Sequence, residues 1–178
     1  MQQWKFGKAL RRLSPMIMTR SMLQQWRLVI NFLPEPDKAV SEMARVVKGG
    51  GSVSTYIWDM AGGGFTMEPI REALNQMGIP SPMPGAEITK IKNLRGAWER
   101  AGLNDVNTRR IDISLAFEDF DDFRDSNMGI SNSVSNIVRK LSVADVEKLK
   151  ALLRKTLPTN RQGQISYGTH VNAVKGFA

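Results

Sequence analysis

The sequence predicts an α/β fold with a parallel sheet, on three observations made within residues 28–59. An apolar run, a stretch with apolar residues at helical spacing and a second apolar run follow one another without a long loop. A strand, a helix and a second strand in this order form a right-handed crossover unit whose strands are parallel. We therefore expect a sheet that is covered by helices, as in any doubly wound protein.

The first strand is predicted from Leu28 to Leu33, where only Asn31 interrupts the apolar run. Such a run is typical of a parallel strand that is buried on both faces. Pro34 and Pro36 are expected to end the strand, because proline cannot donate to the ladder and also restrains the residue before it.

The crossover helix is predicted to begin at Pro36, which suits a first helical turn, with Asp37 near the positive end of the helix dipole. Apolar residues at helical spacing then form the face that packs on the sheet. We expect the glycines at 49–51 to end this helix and the residues from Ser52 to Trp58 to form the second strand. The apolar positions of the helix are Ala39, Val40, Met43, Ala44 and Val47.

The later elements follow from the same patterns. Ala61 to Gly64 should form a hinge or substrate-side loop beyond the second strand, since no lysine and serine follow as in a phosphate loop. Phe117, Phe120 and Phe123 could form an aromatic substrate wall, but their spacing favours a helix that packs on a core. The other expected elements are helices 68–77, 87–101 (capped by Gly102) and 142–157, a strand 105–117, a helical insertion 118–163 and closing strands 165–177.

Composition limits the chemistry. The chain has 178 residues, of which 42% are hydrophobic and 24% charged, enough for one domain with a core. There is no cysteine, which excludes disulfides and thiolate chemistry. The single histidine, His170, rules out a histidine-rich metal site, and we expect it to be structural because the sequence shows no partner for it.

The net charge of +8 is concentrated at the start of the chain. Residues 1–34 contain six lysines and arginines and no acid, so the other residues carry only +2. A cationic amphipathic helix for a membrane surface, nucleic acid or mitochondrial import is one interpretation. We favour a helix that precedes the first strand, or part of a shortened domain, over nucleic-acid binding.

Several short stretches carry a resemblance to a known family. Asn31 to Pro36, Glu42 to Val46, the lysine and glycine turn at 48–51 and Tyr56 to Asp59 resemble, in order and separation, the second half of a class I S-adenosylmethionine-dependent methyltransferase. This group includes ubiquinone and menaquinone biosynthesis enzymes. The turn from Ala101 to Val106 resembles the family's last crossover. One departure is Gly49, where the family usually has proline.

The resemblance covers residues 27–178, after a basic amino-terminal segment 1–26. It implies a Rossmann-like methyltransferase sheet limited to its carboxyl-terminal portion, strands four to seven with flanking helices, in which the last strand is antiparallel to its predecessor. The family's cofactor half, with an acidic residue and a glycine-rich loop on the first strand, has no counterpart before Leu28, which is preceded by a single glycine and no acid.

The resemblance also implies a function, a cytoplasmic methyltransferase that uses S-adenosyl-L-methionine and no metal to methylate a small molecule, and we expect this chain to be such a domain truncated at its amino end. Asp59 could orient or deprotonate the acceptor, or could equally cap a turn. Alternatives are a noncatalytic methyltransferase-like chain, a homodimer or partner chain that completes the sheet, and a binding protein with a basic arm. The implied cofactor residues are Asn31, Phe32 and Leu33, and the implied substrate-side residues are Trp58, Asp59 and Met60.

Overall fold

A computed structural model describes residues 21–27, 29–129 and 132–178. Positions 1–20 of the predicted basic segment therefore lie outside the described residues. The described residues form a mixed α/β structure with four strands and six α-helices. The strands are β1 (Ser21–Arg27), β2 (Val47–Trp58), β3 (Asn104–Phe117) and β4 (Ile165–Phe177). The helices are α1 (Pro36–Val46), α2 (Glu68–Gln76), α3 (Ile91–Arg100), α4 (Phe120–Met128), α5 (Ser133–Val138) and α6 (Val143–Thr156).

The four strands form one sheet in the order β1-β2-β4-β3. β1 and β2 are parallel, and β4 is antiparallel to both of its neighbours. The prediction of an antiparallel last strand beside its predecessor is confirmed. β4 also inserts between β2 and β3, a position that the local sequence patterns did not predict.

The predicted position of the first strand, Leu28 to Leu33, is wrong. The strand that pairs with β2 is Ser21–Arg27, and residues Ile30–Phe32 form a short 3₁₀ helix. The sheet thus begins within the predicted segment 1–26. Glutamines at positions 24 and 25 interrupt the apolar pattern of the strand. Of the apolar residues after it, Ile30 is fully buried in a core outside the sheet, whereas Phe32 is 74% exposed.

The expectation that glycines 49–51 end the first helix is also wrong. α1 begins at Pro36 as predicted but already ends at Val46, and the glycines lie inside β2. Ser21 pairs with Val47 and Leu23 with Ser52, so β2 holds extra residues here and bulges. Gly50 has a φ of 78°, which a glycine adopts without steric cost.

The first hydrophobic core lies between the sheet and helices α1 and α3, on what we call the covered face. Trp98 of α3 is fully buried, and its indole N–H donates to the Val53 carbonyl of β2 at 2.9 Å. The predicted single helix 87–101 is divided at Lys90, which is extended, into a 3₁₀ helix Ala86–Thr89 and α3. The core contains Ile30, Val40, Met43, Val47, Val53, Ile57, Leu94, Ala97, Trp98, Leu103 and Val174.

The second hydrophobic core lies among α2, α4, α5 and α6, where the predicted helical insertion forms. Phe123 is 1% exposed and contacts Phe117 edge to face at 5.3 Å between ring centroids. The three phenylalanines therefore pack in a core, as the favoured interpretation of their spacing predicted. The core contains Met67, Ile70, Ala73, Leu74, Phe123, Val134, Leu149, Leu153, Leu157 and Ile165.

The other side of the sheet, the open face, has a different environment along its length. Strand alternation places Ile165, Tyr167, Val171 and Ala173 on this side of β4. The first two pack against the second core, whereas the last two line a cavity of about 500 Å³ over the middle of the sheet. Among the described residues, no helix has the length and apolar character needed to cross a bilayer.

Candidate functional site

The carboxyl ends of the parallel strands β1 and β2 lie at one edge of the sheet, where open α/β sheets bind ligands. The segment from Gly85 to Thr89 connects this edge to β4. Met60 donates its backbone N–H to Thr89 Oγ1 at 3.0 Å, and Asn172 Nδ2 donates to the Thr89 carbonyl at 2.9 Å. Gly85 packs on Asn31 so closely that a Cβ would overlap the Asn31 carbonyl oxygen.

Asn31 has an unusual polar environment. Asn31 as a whole is 6% exposed. Its side-chain Oδ1 is the only buried side-chain polar atom without a hydrogen bond among the described residues. Leaving a buried acceptor unsatisfied costs about 1–3 kcal/mol. A ligand with an N–H or O–H group could satisfy this atom, which makes Asn31 a candidate binding residue.

The two residues that follow Asn31 point to different environments. Phe32 is 74% exposed, so its ring is available to a ligand or a partner. Leu33 is half-buried and packs against the first core. Of the three residues implied to border the cofactor, Leu33 therefore has its side chain packed against the first core.

Asp59 follows β2 directly, and each of its carboxylate oxygens has a separate partner. Oδ1 accepts a hydrogen bond from the Gly62 backbone N–H at 2.8 Å. Oδ2 lies 3.3 Å from Nε2 of His170, a long distance for a hydrogen bond. The carboxylate thus caps a turn, one of the two roles considered for it, and also contacts the side chain of His170.

The pairing of Asp59 with His170 was missed in the sequence. The two residues are 111 positions apart, and no local pattern connects them. They meet because β4 lies beside β2, which places His170 next to the residue that follows β2. The antiparallel final strand was predicted, but its position against β2 was not.

The glycine loop 61–64 encloses the Asp59–His170 pair. Gly64 donates to the Asp59 carbonyl at 2.7 Å, and its own carbonyl accepts from the His170 backbone N–H at 3.3 Å. A Cβ at Gly64 would lie 2.9 Å from two atoms of the imidazole ring. The loop needs glycine here because its backbone lies directly against the ring.

Tyr167 holds the chain beyond this loop. Its hydroxyl donates to the Thr66 carbonyl at 2.7 Å. Burial raises the pKa of Tyr167 to about 12, and a hydrogen bond with Asn127 opposes the shift. The chain from Gly64 to Thr66 is therefore anchored to β4, by His170 and by Tyr167.

A cavity of about 540 Å³ lies beside the imidazole ring, between the glycine loop and strand β3. Asp112 pairs with His170 across the two strands. Arg110 donates to Asp112 Oδ1 at 2.7 Å, so a cation and an anion flank the cavity. The lining residues are Gly63, Arg110, Asp112, Ile113, Ser114, Gly168, Thr169 and His170.

The implied substrate-side residues are divided between the two faces of the sheet. Trp58 lines the 500 Å³ cavity of the open face together with Tyr56 and Val171, and Arg109 and Lys175 lie at the same cavity. Asp59 turns toward His170, and Met60 is held through its backbone. Trp58 and Asp59 therefore do not converge on one ligand site. Within the described residues, no group of three or more acidic or histidine side chains could hold a metal ion.

Comparisons with known proteins concern the fold. No protein-family model matches the chain, and no curated protein matches it significantly. A methyltransferase structure from Bacillus halodurans C-125 is 16% identical with a TM-score of 0.49, over 92% of this chain and 67% of that one. The YcgJ protein from Bacillus subtilis is 16% identical with a TM-score of 0.45, over 89% and 64%.

A third similar structure is Haemonchus contortus phosphoethanolamine N-methyltransferase 2, in complex with phosphomonomethylethanolamine and S-adenosylhomocysteine. It is 14% identical with a TM-score of 0.39, over 87% of this chain and 32% of that one. The chain thus spans between one third and two thirds of the length of these proteins. With the sheet order β1-β2-β4-β3 and the helices that cover it, the described residues have a methyltransferase-like α/β fold.

Proposed function

We propose that this chain is an S-adenosylmethionine-dependent methyltransferase domain that acts on a small molecule. The observation that carries the proposal is the unsatisfied Asn31 Oδ1 at the carboxyl edge of the parallel strands. The motif series that resembles the family supplies this same residue. A cytoplasmic location and a small-molecule acceptor are part of this proposal.

The residues at this edge fit one side of the cofactor. Asn31 Oδ1 is an acceptor for an amino or hydroxyl group, and the exposed Phe32 ring offers an apolar surface for a purine. Gly85 holds the Asn31 backbone in place by direct packing. When bound, the sulfonium supplies an activated methyl group, so the chain's own task is to align the acceptor and to exclude water.

The acceptor would bind on the β4 side of the same edge. Asp59 and Met60 follow β2, and the glycine loop covers the site from above the His170 ring. The cavity of about 540 Å³ beside this ring is of the size that small-molecule sites have. It is lined by mixed charges and small residues, which favours a polar acceptor.

Calorimetric titration of the purified chain with S-adenosylmethionine and S-adenosylhomocysteine tests the proposal. We expect saturable binding at micromolar concentration. Asn31→Leu should weaken binding about tenfold, because one hydrogen bond to a buried acceptor contributes about 1.4 kcal/mol. Val143→Ala serves as a control, since this side chain is 82% exposed on α6 and lies far along the chain from the edge.

Two results would contradict the proposal. If a chain that is folded by circular dichroism gives no heat with either compound, the noncatalytic alternative becomes the better account. If Asn31→Leu and Val143→Ala bind as the wild type does, the cofactor does not use the edge at Asn31. In either case the methyltransferase-like fold would stand without the activity.

A further inference from the structure

The Asp59–His170 pair has the arrangement of a base and the group that orients it. The imidazole Nε2 faces the carboxylate at 3.3 Å, so a neutral ring that keeps its proton on Nε2 leaves Nδ1 as an acceptor on the other side. The His170 side chain is 8% exposed and the Asp59 side chain 15%. The pair is thus largely desolvated but not sealed.

The imidazole ring of His170 has the glycine loop and a cavity as neighbours. Gly64 lies flat against the ring, and a Cβ there would be 2.9 Å from both Cδ2 and Cε1. His170 also lines the cavity of about 540 Å³. The cavity therefore offers a ligand a place beside His170.

The His170 ring also lies on the face of β4 that contacts the segment at the proposed cofactor edge. His170 and Asn172 are two residues apart on β4, which separates them by about 7 Å on one face of the strand. Asn172 bonds to Thr89, and Thr89 bonds to Met60. The cavity beside His170 and the Asn31 edge are therefore joined through one short segment of chain.

We propose that His170, held by Asp59, accepts the proton of a hydroxyl or amine acceptor bound in the cavity between loop 61–64 and β3. This inference rests on the proposed methyltransferase function. The acceptor's O–H or N–H bond would break and an N–H bond would form at His170 Nδ1. A bound sulfonium would supply the methyl group, whose bond to sulfur would break as its bond to the acceptor atom forms, with the electron pair left on the thioether product. The resulting imidazolium is stabilised by the Asp59 carboxylate and later releases its proton to water.

The charged groups that face the ring determine how the proton is held. Asp59 faces Nε2 from the loop after β2, and Asp112 lies across from His170 on β3, where it is paired with Arg110. The Arg110–Asp112 pair is exposed, with 58% and 73% of the two side chains accessible, so water screens it. Asp59 is the less exposed of the two acids and is the positioning residue.

The competing role is a clamp, in which the pair only fixes the glycine loop to β4. Both roles predict that Asp59→Asn loosens the loop, so stability alone does not separate them. The two differ in what they require of Nδ1. A base needs an unprotonated Nδ1 that is open to the cavity, whereas a clamp has no such requirement.

The chain's single histidine makes this requirement measurable, because every imidazole signal comes from His170. Long-range proton–nitrogen NMR of the wild-type chain at neutral to alkaline pH reports which ring nitrogen carries the proton. We expect the proton on Nε2, and we expect Asp59→Asn to lose this preference. A neutral ring with its proton on Nδ1 would overturn the proposal. Because this NMR measurement is made on the wild-type chain, it does not depend on whether a variant folds.

Access to Nδ1 is measured with diethyl pyrocarbonate, which acylates neutral imidazole. We expect the folded wild-type chain to react with the reagent, since His170 lines the cavity. Ser114→Trp, which fills the cavity, should slow the reaction at least tenfold. Ala116→Trp is the matched control, because Ala116 is exposed on the same strand outside the cavity and should leave the rate unchanged.

Protection of the wild-type ring by a hundredfold or more, relative to free N-acetylhistidine, would show a clamp and overturn the inference. S-adenosylhomocysteine binding by calorimetry is measured on the same samples, so failure of the inference and failure of the proposed function are distinguished. On an acceptor that the wild type methylates, His170→Gln should lower kcat by about 10²–10⁴ and leave S-adenosylhomocysteine affinity unchanged. An unchanged kcat would also overturn the assignment.

Discussion

The two faces of the sheet use the same strands but have different environments. On the covered face, Val53 and Ile57 of β2 are fully buried beneath α1 and α3. On the open face, the alternate residues Tyr56 and Trp58 are half-buried beside a cavity. The comparison teaches that apolar alternation along a strand shows which residues share a face, and that the packed layers decide which face becomes a core.

The comparison extends along β4 itself. Tyr167 and Ile165 lie on the same side as Val171 and Ala173, yet the first pair packs on the helices of the second core. The helical insertion between β3 and β4 thus covers one end of a face whose middle lines a cavity. Substitutions matched between these regions test the comparison directly.

The largest effect is expected for Trp98→Ala on the covered face. Removing this fully buried ring should lower the free energy of unfolding by about 3–5 kcal/mol, and it also removes the hydrogen bond to the Val53 carbonyl. Urea denaturation followed by circular dichroism measures the loss. Trp58→Ala, the matched change on the open face, should cost about 1 kcal/mol. Equal losses would show that the two faces are packed alike.

The next effect concerns the candidate site. Gly85→Ala and Gly78→Ala both place a side chain at a positive φ, of 69° and 73°, which costs about 1–2 kcal/mol in each case. Of the two added methyl groups, only the one at position 85 would also overlap the Asn31 carbonyl oxygen. We expect Gly85→Ala alone to cost further stability and to weaken S-adenosylhomocysteine binding in calorimetry. Similar behaviour of the two variants would remove Gly85 from the site.

Tyr167→Phe tests the covered end of the open face. At neutral pH the free energy of unfolding of the variant should be about 1 kcal/mol lower, because the hydrogen bond to the Thr66 carbonyl is lost. The pKa of Tyr167 in the folded chain, about 12, lies above the ordinary tyrosine value of about 10, so the folded state holds the phenolic proton more tightly. This stabilisation is present below pH 10 and is lost as the pH rises from 10 to 12.

Urea midpoints of the wild type and Tyr167→Phe measured between pH 9 and 12 check the prediction. The wild type should lose about 1–2 kcal/mol more than the variant over this range, after allowing for the solvent-exposed part of the ring. Parallel pH profiles would mean that Tyr167 is as accessible in the folded chain as in the unfolded chain.

The smallest effect is expected for Ile111→Ser, in the middle of the open face. Ile111 is 39% exposed, so the change should cost about 0.5 kcal/mol or less, as for most surface substitutions. A loss of 2 kcal/mol or more in urea denaturation would show that this face is covered in solution. That result would remove the contrast between the two faces.

Much of the fold follows from local patterns. Pro36 begins α1 and Gly102 follows α3 with a φ of 76°, both as predicted. The helix predicted over 142–157 is α6, which the Ser142 side chain caps. Each depends on contacts within one or two helical turns, which a sequence displays directly. The first strand was misplaced because its glutamines read as polar, and its identity depends on pairing with β2.

The candidate site divides in the same way. Asn31 and Asp59 could be named from the sequence because they follow apolar runs within a motif series that resembles a known family. The partner of Asp59 could not, since His170 is 111 residues away, and its position depends on β4 inserting between β2 and β3.

Local order of residues therefore determined the class of fold, the start of α1 and one side of the candidate site, because these depend on neighbours along the chain. Only the tertiary structure decided the Asp59–His170 pair, the division of Trp58 and Asp59 between two faces, and the unsatisfied Asn31. Each of these depends on which distant strand or loop packs beside a residue. Strand order, which sets those neighbours, arises from the burial of the whole sheet.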